Sequence, residues 1–371
     1  MIKKLLNSIK FILSFYKTQL LRHFPFLWSH AEIRPRYANI NITDRCCFRC
    51  VMCEEWKNMP KDELTTQEWK DFFGQLKKAH IKEIILSGGE PLLRDDLPDL
   101  IRYANGIGFK VSLVTNGYLL DEGKLDALVS SGIASISISV DGIGNDFESV
   151  RGVEGSYQKV EKACFLISEL ARKKKIHAAI GFVLMKGTSE YLDKVLELRN
   201  KLNIPLRINL VDFTPYFFKS DTPKKKFSFW INNEETISKV QKMLVEQKNK
   251  DKHSLLIPYS AIDFIKEYFK DPLQKDKLCV ASKTRICVDS CGNIFGGCWS
   301  MESLGNIKKQ SLKEILSSRK YIDAQKRMFF KNCPGCSCGY VMNLYYSFSS
   351  LMSEFIFVSL PFLRKKIYAK K

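Results

Sequence analysis

Cys46, Cys50 and Cys53 stand at a C-x3-C-x2-C spacing within the stretch 41–53. Thiolates hold iron–sulfur clusters, and a cubane normally takes four of them. Three in close sequence therefore describe a cluster with one iron left open to an outside ligand. A structural zinc site, closed and four-coordinate, is the alternative. Cys47 would then be the fourth thiolate, against the tendency of adjacent side chains to point in different directions. Ala38, Ile40 and Ile42 alternate just upstream and read as a strand that delivers this loop.

The twelve cysteines gather at 46–53 and 279–338, apart from Cys164, which reads as ordinary core on a helix face. Clustering of this kind favours metal binding in a reducing compartment over a secreted disulfide framework. In the second group Cys279 comes first. Arg285 to Phe295 reads as strand, turn and strand with Gly292 at the turn, and Cys298 closes the hairpin. Cys333, Cys336 and Cys338 end the series. Cys287, in a strand, and Cys291, in a turn, read as bystanders. Paired cysteines of this type also make zinc knuckles.

From residue 38 strand-like and helix-like patterns alternate. Strands are expected at 38–43, 82–87, 109–114, 134–140, 176–184 and 205–211, with helices near 66–79, 95–107, 122–131, 155–173 and 188–202. Six βα repeats imply a parallel sheet covered by helices, either a barrel or an open sheet. Catalytic groups of a barrel would lie on the loops after the strands. Residues 213–278 break the alternation with a Pro- and Lys-containing loop (214–226) and helices near 233–248 and 259–270. A further helical pattern covers 311–329.

The 371 residues carry a net charge of +19 with 45% hydrophobic and 12% aromatic residues. That is enough apolar material for a full core, which excludes a disordered chain. A nucleic-acid footprint would gather basic residues and stacking aromatics on one face, and none is visible, so a nucleic-acid partner is not expected. Residues 2–24 form an apolar helical stripe with lysines off it, too interrupted to span a bilayer and followed by no cleavage site. Such a basic amphipathic helix lies either in a membrane interface or against the domain. The apolar, aromatic tail 340–371 ends in a polybasic run and invites the same two readings. The location expected is cytoplasmic, either free or peripheral on the inner face of the membrane.

The cysteine spacing resembles the cluster motif of the radical S-adenosylmethionine (radical SAM) superfamily. So do Ser87-Gly-Gly-Glu90 after the second strand, Thr115-Asn-Gly117 after the third, and Ser137-Ile-Ser139-Val-Asp141-Gly142 ending the fourth. The resemblance spans roughly 38–338 and implies an α/β fold, a partial (β/α)6 TIM-like barrel with a small C-terminal iron–sulfur domain. It divides the chain into an N-terminal segment (1–37), a radical SAM core (38–212), a helical bridge (213–278), an auxiliary-cluster domain (279–338) and a tail (339–371). By the same resemblance a [4Fe–4S] cluster is held by Cys46, Cys50 and Cys53, with SAM on the open iron and Met52 beside the adenine. Gly88 and Gly89 would contact the methionyl amine through the backbone, with Glu90 adding an acceptor for an ammonium group. Asn116 and Ser139 would lie near the ribose or carboxylate. Arg151 matches an arginine that holds the SAM carboxylate in the peptide-modifying branch, although the histidine and aspartate that usually precede it are absent.

The 279–338 region resembles the auxiliary-cluster extensions called SPASM and twitch, here the single-cluster twitch type with Cys279, Cys298, Cys333 and either Cys336 or Cys338 as ligands. The implied activity is reductive cleavage of SAM to a 5′-deoxyadenosyl radical that abstracts hydrogen. The electron would come from a flavodoxin- or ferredoxin-type donor, and the second cluster would assist oxidation or modification. The substrate would be a peptide or protein, or a sugar, polyol or lipid-linked molecule. A non-catalytic iron–sulfur or zinc scaffold and an RNA-modifying radical SAM enzyme are the rival readings.

Overall fold

A computed structural model describes residues 35–57, 62–212, 228–271, 279 and 281–330. The N-terminal stripe, the 214–226 loop, Cys333, Cys336, Cys338 and the tail fall outside the described residues. Among those described, no helix is long and apolar enough to cross a membrane.

The first half runs β1 (Tyr37–Thr43), α1 (Thr66–Lys78), β2 (Glu83–Gly88), α2 (Leu97–Gly106), β3 (Lys110–Thr115), α3 (Glu122–Ser130) and β4 (Ser135–Ser139). It continues through α4 (Asn145–Arg151), α5 (Tyr157–Arg172), β5 (His177–Leu184), α6 (Leu192–Leu202) and β6 (Leu206–Leu210). All five consecutive strand pairs from β1 to β6 are parallel. This is the expected α/β partial barrel, and β1 and β6 do not pair with each other.

Strands β2, β3, β4 and β6 alternate because only one face is sealed by helices. Register puts Ile40, Leu86, Leu113 and Ile136 side by side, all buried. The other face carries Ser137 beside Ala179, and Ser139 beside Gly181 and Arg207. A sheet covered on both faces would read as continuous apolar runs; the serines of β4 mark an open, polar face instead.

Helix α1 shows how the covering face is specified. Trp69, Phe72, Phe73 and Leu76 recur at three- and four-residue steps and are all buried. Its start is fixed by a capping box in which the Thr65 side chain accepts from the Glu68 amide and Glu68 reaches back to the Thr65 amide.

Beyond β6, α7 (Glu234–Lys250) and α8 (Tyr259–Lys270) pack on each other, and Leu255 between them bridges to Leu206 at the sheet edge. After a helical turn at Ala281–Thr284 come β7 (Arg285–Val288), β8 (Asn293–Phe295) and β9 (Gly305–Asn306). The expected hairpin is β7–β8, antiparallel, with Gly292 in its turn at φ +84°. What local pattern did not reveal is that β7 pairs in parallel with β1, which extends one sheet to nine strands in the order β6-β5-β4-β3-β2-β1-β7-β8-β9. The helical pattern at 311–329 is two helices, α9 (Leu312–Ser317) and α10 (Arg319–Phe329). Ser318, in extended backbone, ends the first and caps the second by accepting from the Tyr321 amide.

Candidate functional site

The cysteine loop leaves the C-terminal end of β1 and is fastened on three sides. Glu63 holds its start, its Oε1 accepting from Thr43 Oγ1 at 2.7 Å and the Asp44 amide at 2.8 Å. Phe48 anchors its middle, buried against Tyr118 and Phe147 with ring centroids 5.6 and 6.1 Å away. The amides of Arg49 and Val51 donate to the carbonyls of Arg151 and Val150, at 3.1 and 3.0 Å, which ties the loop to the end of α4. Gly152 follows at φ +72°, and a side chain there would collide with the Arg49 carbonyl.

Each of the three predicted ligand sulfurs has its own N–H donor. The Phe48 amide reaches Cys46 Sγ at 3.4 Å, the Glu55 amide reaches Cys53 Sγ at 3.5 Å, and Arg151 Nη1 reaches Cys50 Sγ at 3.7 Å. Burial pushes the Cys46 thiol up to about 12, against the lowering effect of the Phe48 N–H. It pushes Cys50 and Cys53 up as well, with Arg151 opposing at Cys50 and Glu55 adding to the rise at Cys53. Half-buried thiolates of this kind are stabilised by a cation, and iron would supply one. No three His, Cys, Asp or Glu side chains among the described residues converge closely enough for a single metal ion. Three cysteine donors on one loop are the set that a cluster with one open iron would take. Cys47 takes a different partner, the Asn116 Nδ2 at 3.3 Å.

The expected SAM-facing residues surround this loop, several of them occupied in ways the sequence did not show. Gly88 ends β2 and Gly89 follows it, where the backbone runs against the loop. A side chain on Gly88 would strike the Thr43 carbonyl, and one on Gly89 those of Asp44 and Arg45. The Gly89 and Glu90 amides donate to Thr43 and Arg45 at 2.8 and 2.7 Å. The bareness of these glycines thus serves chain-to-chain approach. Glu90, expected as an acceptor for an ammonium group, is fully buried and engages both its oxygens with the chain. Its Oε1 accepts from Thr115 Oγ1 at 2.6 Å and the Leu92 amide at 3.1 Å, and its Oε2 from the Asn116 amide at 2.7 Å. Burial pushes this carboxyl up while the three donors pull it down.

Asn116, expected near the ribose or carboxylate, accepts at Oδ1 from the Tyr118 amide at 2.9 Å and donates from Nδ2 to Cys47. Ser139 is half-buried on the open face at the end of β4, and Met52 is half-buried against the core. Arg151 pairs with Asp141, Nη2 to Oδ2 at 2.5 Å, while its buried Nε has no hydrogen-bond partner among the described residues. The sequence motif Ser137–Gly142 assigns Asp141 no role; the signal for one is a carboxylate two residues beyond a strand of serines and isoleucines.

Of the second cysteine group, Cys279 and Cys298 are buried and Cys287 packs in β7 with Phe295 and Trp299. The Ser300 amide reaches Cys298 Sγ at 3.4 Å, and the Cys279 amide donates to the Phe329 carbonyl at 3.0 Å. Gly297 backs onto the carbonyls of Ala281 and Arg285, which brings the Cys298 turn to the segment that begins at Cys279. Cys291 is half-buried on the β7–β8 turn beside Ser290.

Residues 40–199 match the family model of the Radical SAM superfamily. That segment belongs to the radical SAM superfamily. An AdoMet-dependent heme synthase of Methanosarcina barkeri (strain Fusaro / DSM 804) is 32% identical over 171 residues, which is 45% of this chain and 48% of that protein. The chain thus spans about half the length of this curated relative. Among solved structures, Streptococcus suis SuiB bound to S-adenosylmethionine superposes with a TM-score of 0.64 at 15% identity, over 89% of this chain and 79% of that one. Native anSMEcpe with bound AdoMet gives 0.60 at 20% identity, over 90% of this chain and all of that one (100%). These likenesses show the fold. A radical SAM domain carries a [4Fe–4S] cluster and SAM, and the donor set around Cys46, Cys50 and Cys53 fits one.

Proposed function

We propose that the protein is a radical SAM enzyme that abstracts hydrogen from an organic substrate, using an electron from a flavodoxin- or ferredoxin-type donor. The observation that carries this reading is the trio of half-buried cysteines, each sulfur with an N–H donor, at the mouth of a parallel sheet with an open polar face. When bound, the cluster supplies the electron that breaks a carbon–sulfur bond of SAM, giving methionine and a 5′-deoxyadenosyl radical.

The chain's own residues hold, orient and shield. Cys46, Cys50 and Cys53 would ligate the cluster, and Phe48 seals the loop from behind. The unpartnered Nε of Arg151 is a donor suited to the SAM carboxylate. Met52 would lie by the adenine, and Ser139 and Asn116 by the ribose or carboxylate. Carbonyls at the Gly88–Gly89 turn would meet the amine, with Glu90 bracing that turn from beneath. Cys279 and Cys298, with Cys333 and either Cys336 or Cys338, would hold one auxiliary cluster.

Modification of a peptide is the substrate reading favoured by two similar structures, SuiB bound to precursor peptide SuiA and anSMEcpe with the Cp18Cys peptide. Oxidation of a small molecule is the second, favoured by the 32% identity to the heme synthase. The deciding experiment is mass-spectrometric detection of 5′-deoxyadenosine from the anaerobically reconstituted protein with SAM and a strong reductant. Its control is the Cys46→Ala/Cys50→Ala/Cys53→Ala variant. Product from the intact protein alone supports the proposal. Zinc in place of iron, or product equal in both proteins, refutes it.

A further inference from the structure

We propose that Arg151 and Asp141 form a buried charge pair that sets the reduction potential of the first cluster through Cys50. The inference rests on the radical SAM reading of the cysteine loop and goes beyond any contact between Arg151 and SAM.

Arg151 is the last residue of α4 and is held at both ends. Its carbonyl receives the Arg49 amide at 3.1 Å, and its guanidinium lies between Asp141, 2.5 Å from Nη2, and Cys50 Sγ, 3.7 Å from Nη1. Asp141 cannot drift, because its Oδ1 accepts from the Val183 amide at 2.7 Å and the residue is fully buried. The pair is thus a fixed dipole with its positive end on a ligand sulfur.

Reduction adds one electron from the external donor to the cluster and leaves every bond to the protein in place. It makes the cluster one charge more negative. A buried cation beside a ligand sulfur favours the reduced form, and a buried carboxylate opposes it, since charge, hydrogen bonding to sulfur and burial set such potentials. At Cys50 it is the arginine that touches the sulfur, and the aspartate that touches the arginine. The two residues therefore pull the potential in opposite directions, which a purely structural pair would not do.

The test is an EPR-monitored redox titration without SAM, on reconstituted wild type, Arg151→Gln, Arg151→Lys and Asp141→Asn. Iron and sulfide are assayed on each, and Cys279→Ala/Cys298→Ala is the common background, so that one cluster is read. In Arg151→Gln the reduced-to-oxidised ratio at a fixed poise should fall about tenfold, a shift of about 59 mV for one electron. Asp141→Asn should shift it the other way, and Arg151→Lys should fall between wild type and Arg151→Gln. If Arg151→Gln fails to load, the lysine and asparagine variants carry the comparison. Shifts of one sign, or none, in loaded proteins overturn the dipole and leave the family site intact. A background protein that takes up no iron and sulfide overturns the site reading itself.

Discussion

Arg94 and Asp96 meet in a two-pronged contact, Nε to Oδ1 at 2.9 Å and Nη2 to Oδ2 at 2.6 Å, close to where the cysteine loop begins. Thr66 adds a third bond to Asp96 at 2.6 Å, and Arg94 Nη1 reaches the Leu64 carbonyl at 3.1 Å. Partial burial works against the Asp96 charge, but the Arg94 and Thr66 hydrogen bonds outweigh it and hold the carboxyl below the usual carboxylate range. A depressed carboxyl contributes stability that is present above its unfolded value, about 3.9, and is lost as pH falls through the folded value. Asp96→Asn should therefore lower unfolding stability at pH 7 by on the order of 2 kcal/mol. The gap from wild type, read from urea midpoints, should close on acidification below about pH 4. An equal gap at both ends of that range would refute the assignment. At this scale the cysteines were legible because metal ligation dictates both residue type and spacing. The work of Glu90 and Asp141 was not, since Thr115 lies 25 residues from the one and Val183 42 from the other. Only strand register brings them together.

Two elements decide whether the loop keeps its shape, and they differ in how they reveal themselves. The strands and the longer helices announce their periods, so β1 to β6 were expected within a residue or two. Helix α4 spans seven residues between Gly144 at φ +55° and Gly152 at φ +72°, too short for a periodic stripe. Yet its last two carbonyls hold the loop. Phe48 supplies the other anchor, and Phe48→Ala would empty a fully enclosed site between Tyr118 and Phe147. The expected cost is about 3–5 kcal/mol. Much of it should appear locally: iron retained per chain after gel filtration should fall well below wild type, while far-UV circular dichroism stays close to it. Full retention of iron would show that the α4 contacts suffice. The 311–329 segment gave a related lesson. A serine inside a helical pattern reads equally as a solvent-facing residue or as a cap, and Ser318 is a cap.

For the molecule as a whole, the parallel pairing of β1 with β7 makes the two cysteine regions parts of one sheet. Nothing in a local pattern names a parallel partner so far along the chain, because parallel strands need a long connection and leave no turn signature. The division at 212 and 279 implied by the resemblance is therefore crossed by backbone hydrogen bonds at Tyr37 to Ile40. A fragment ending at residue 212 would leave that edge of β1 bare, a template for pairing with other chains. It should elute as oligomers or precipitate, and co-expression of residues 213–371 should restore a soluble complex. A monomeric, soluble fragment would show that the edge needs no cover.

The same pairing has a consequence in time. Chains emerge at roughly 5–20 residues per second, and β7 follows the end of β1 by roughly 240 residues. The outer edge of the strand that carries the cysteine loop thus waits on the order of 10 to 50 s for its partner. Through that interval the three thiols hang from a half-finished support, open to stray metal and to oxidants. Iron and sulfide that arrive after Val288 has left the ribosome would meet a loop whose supporting strand is paired on both sides.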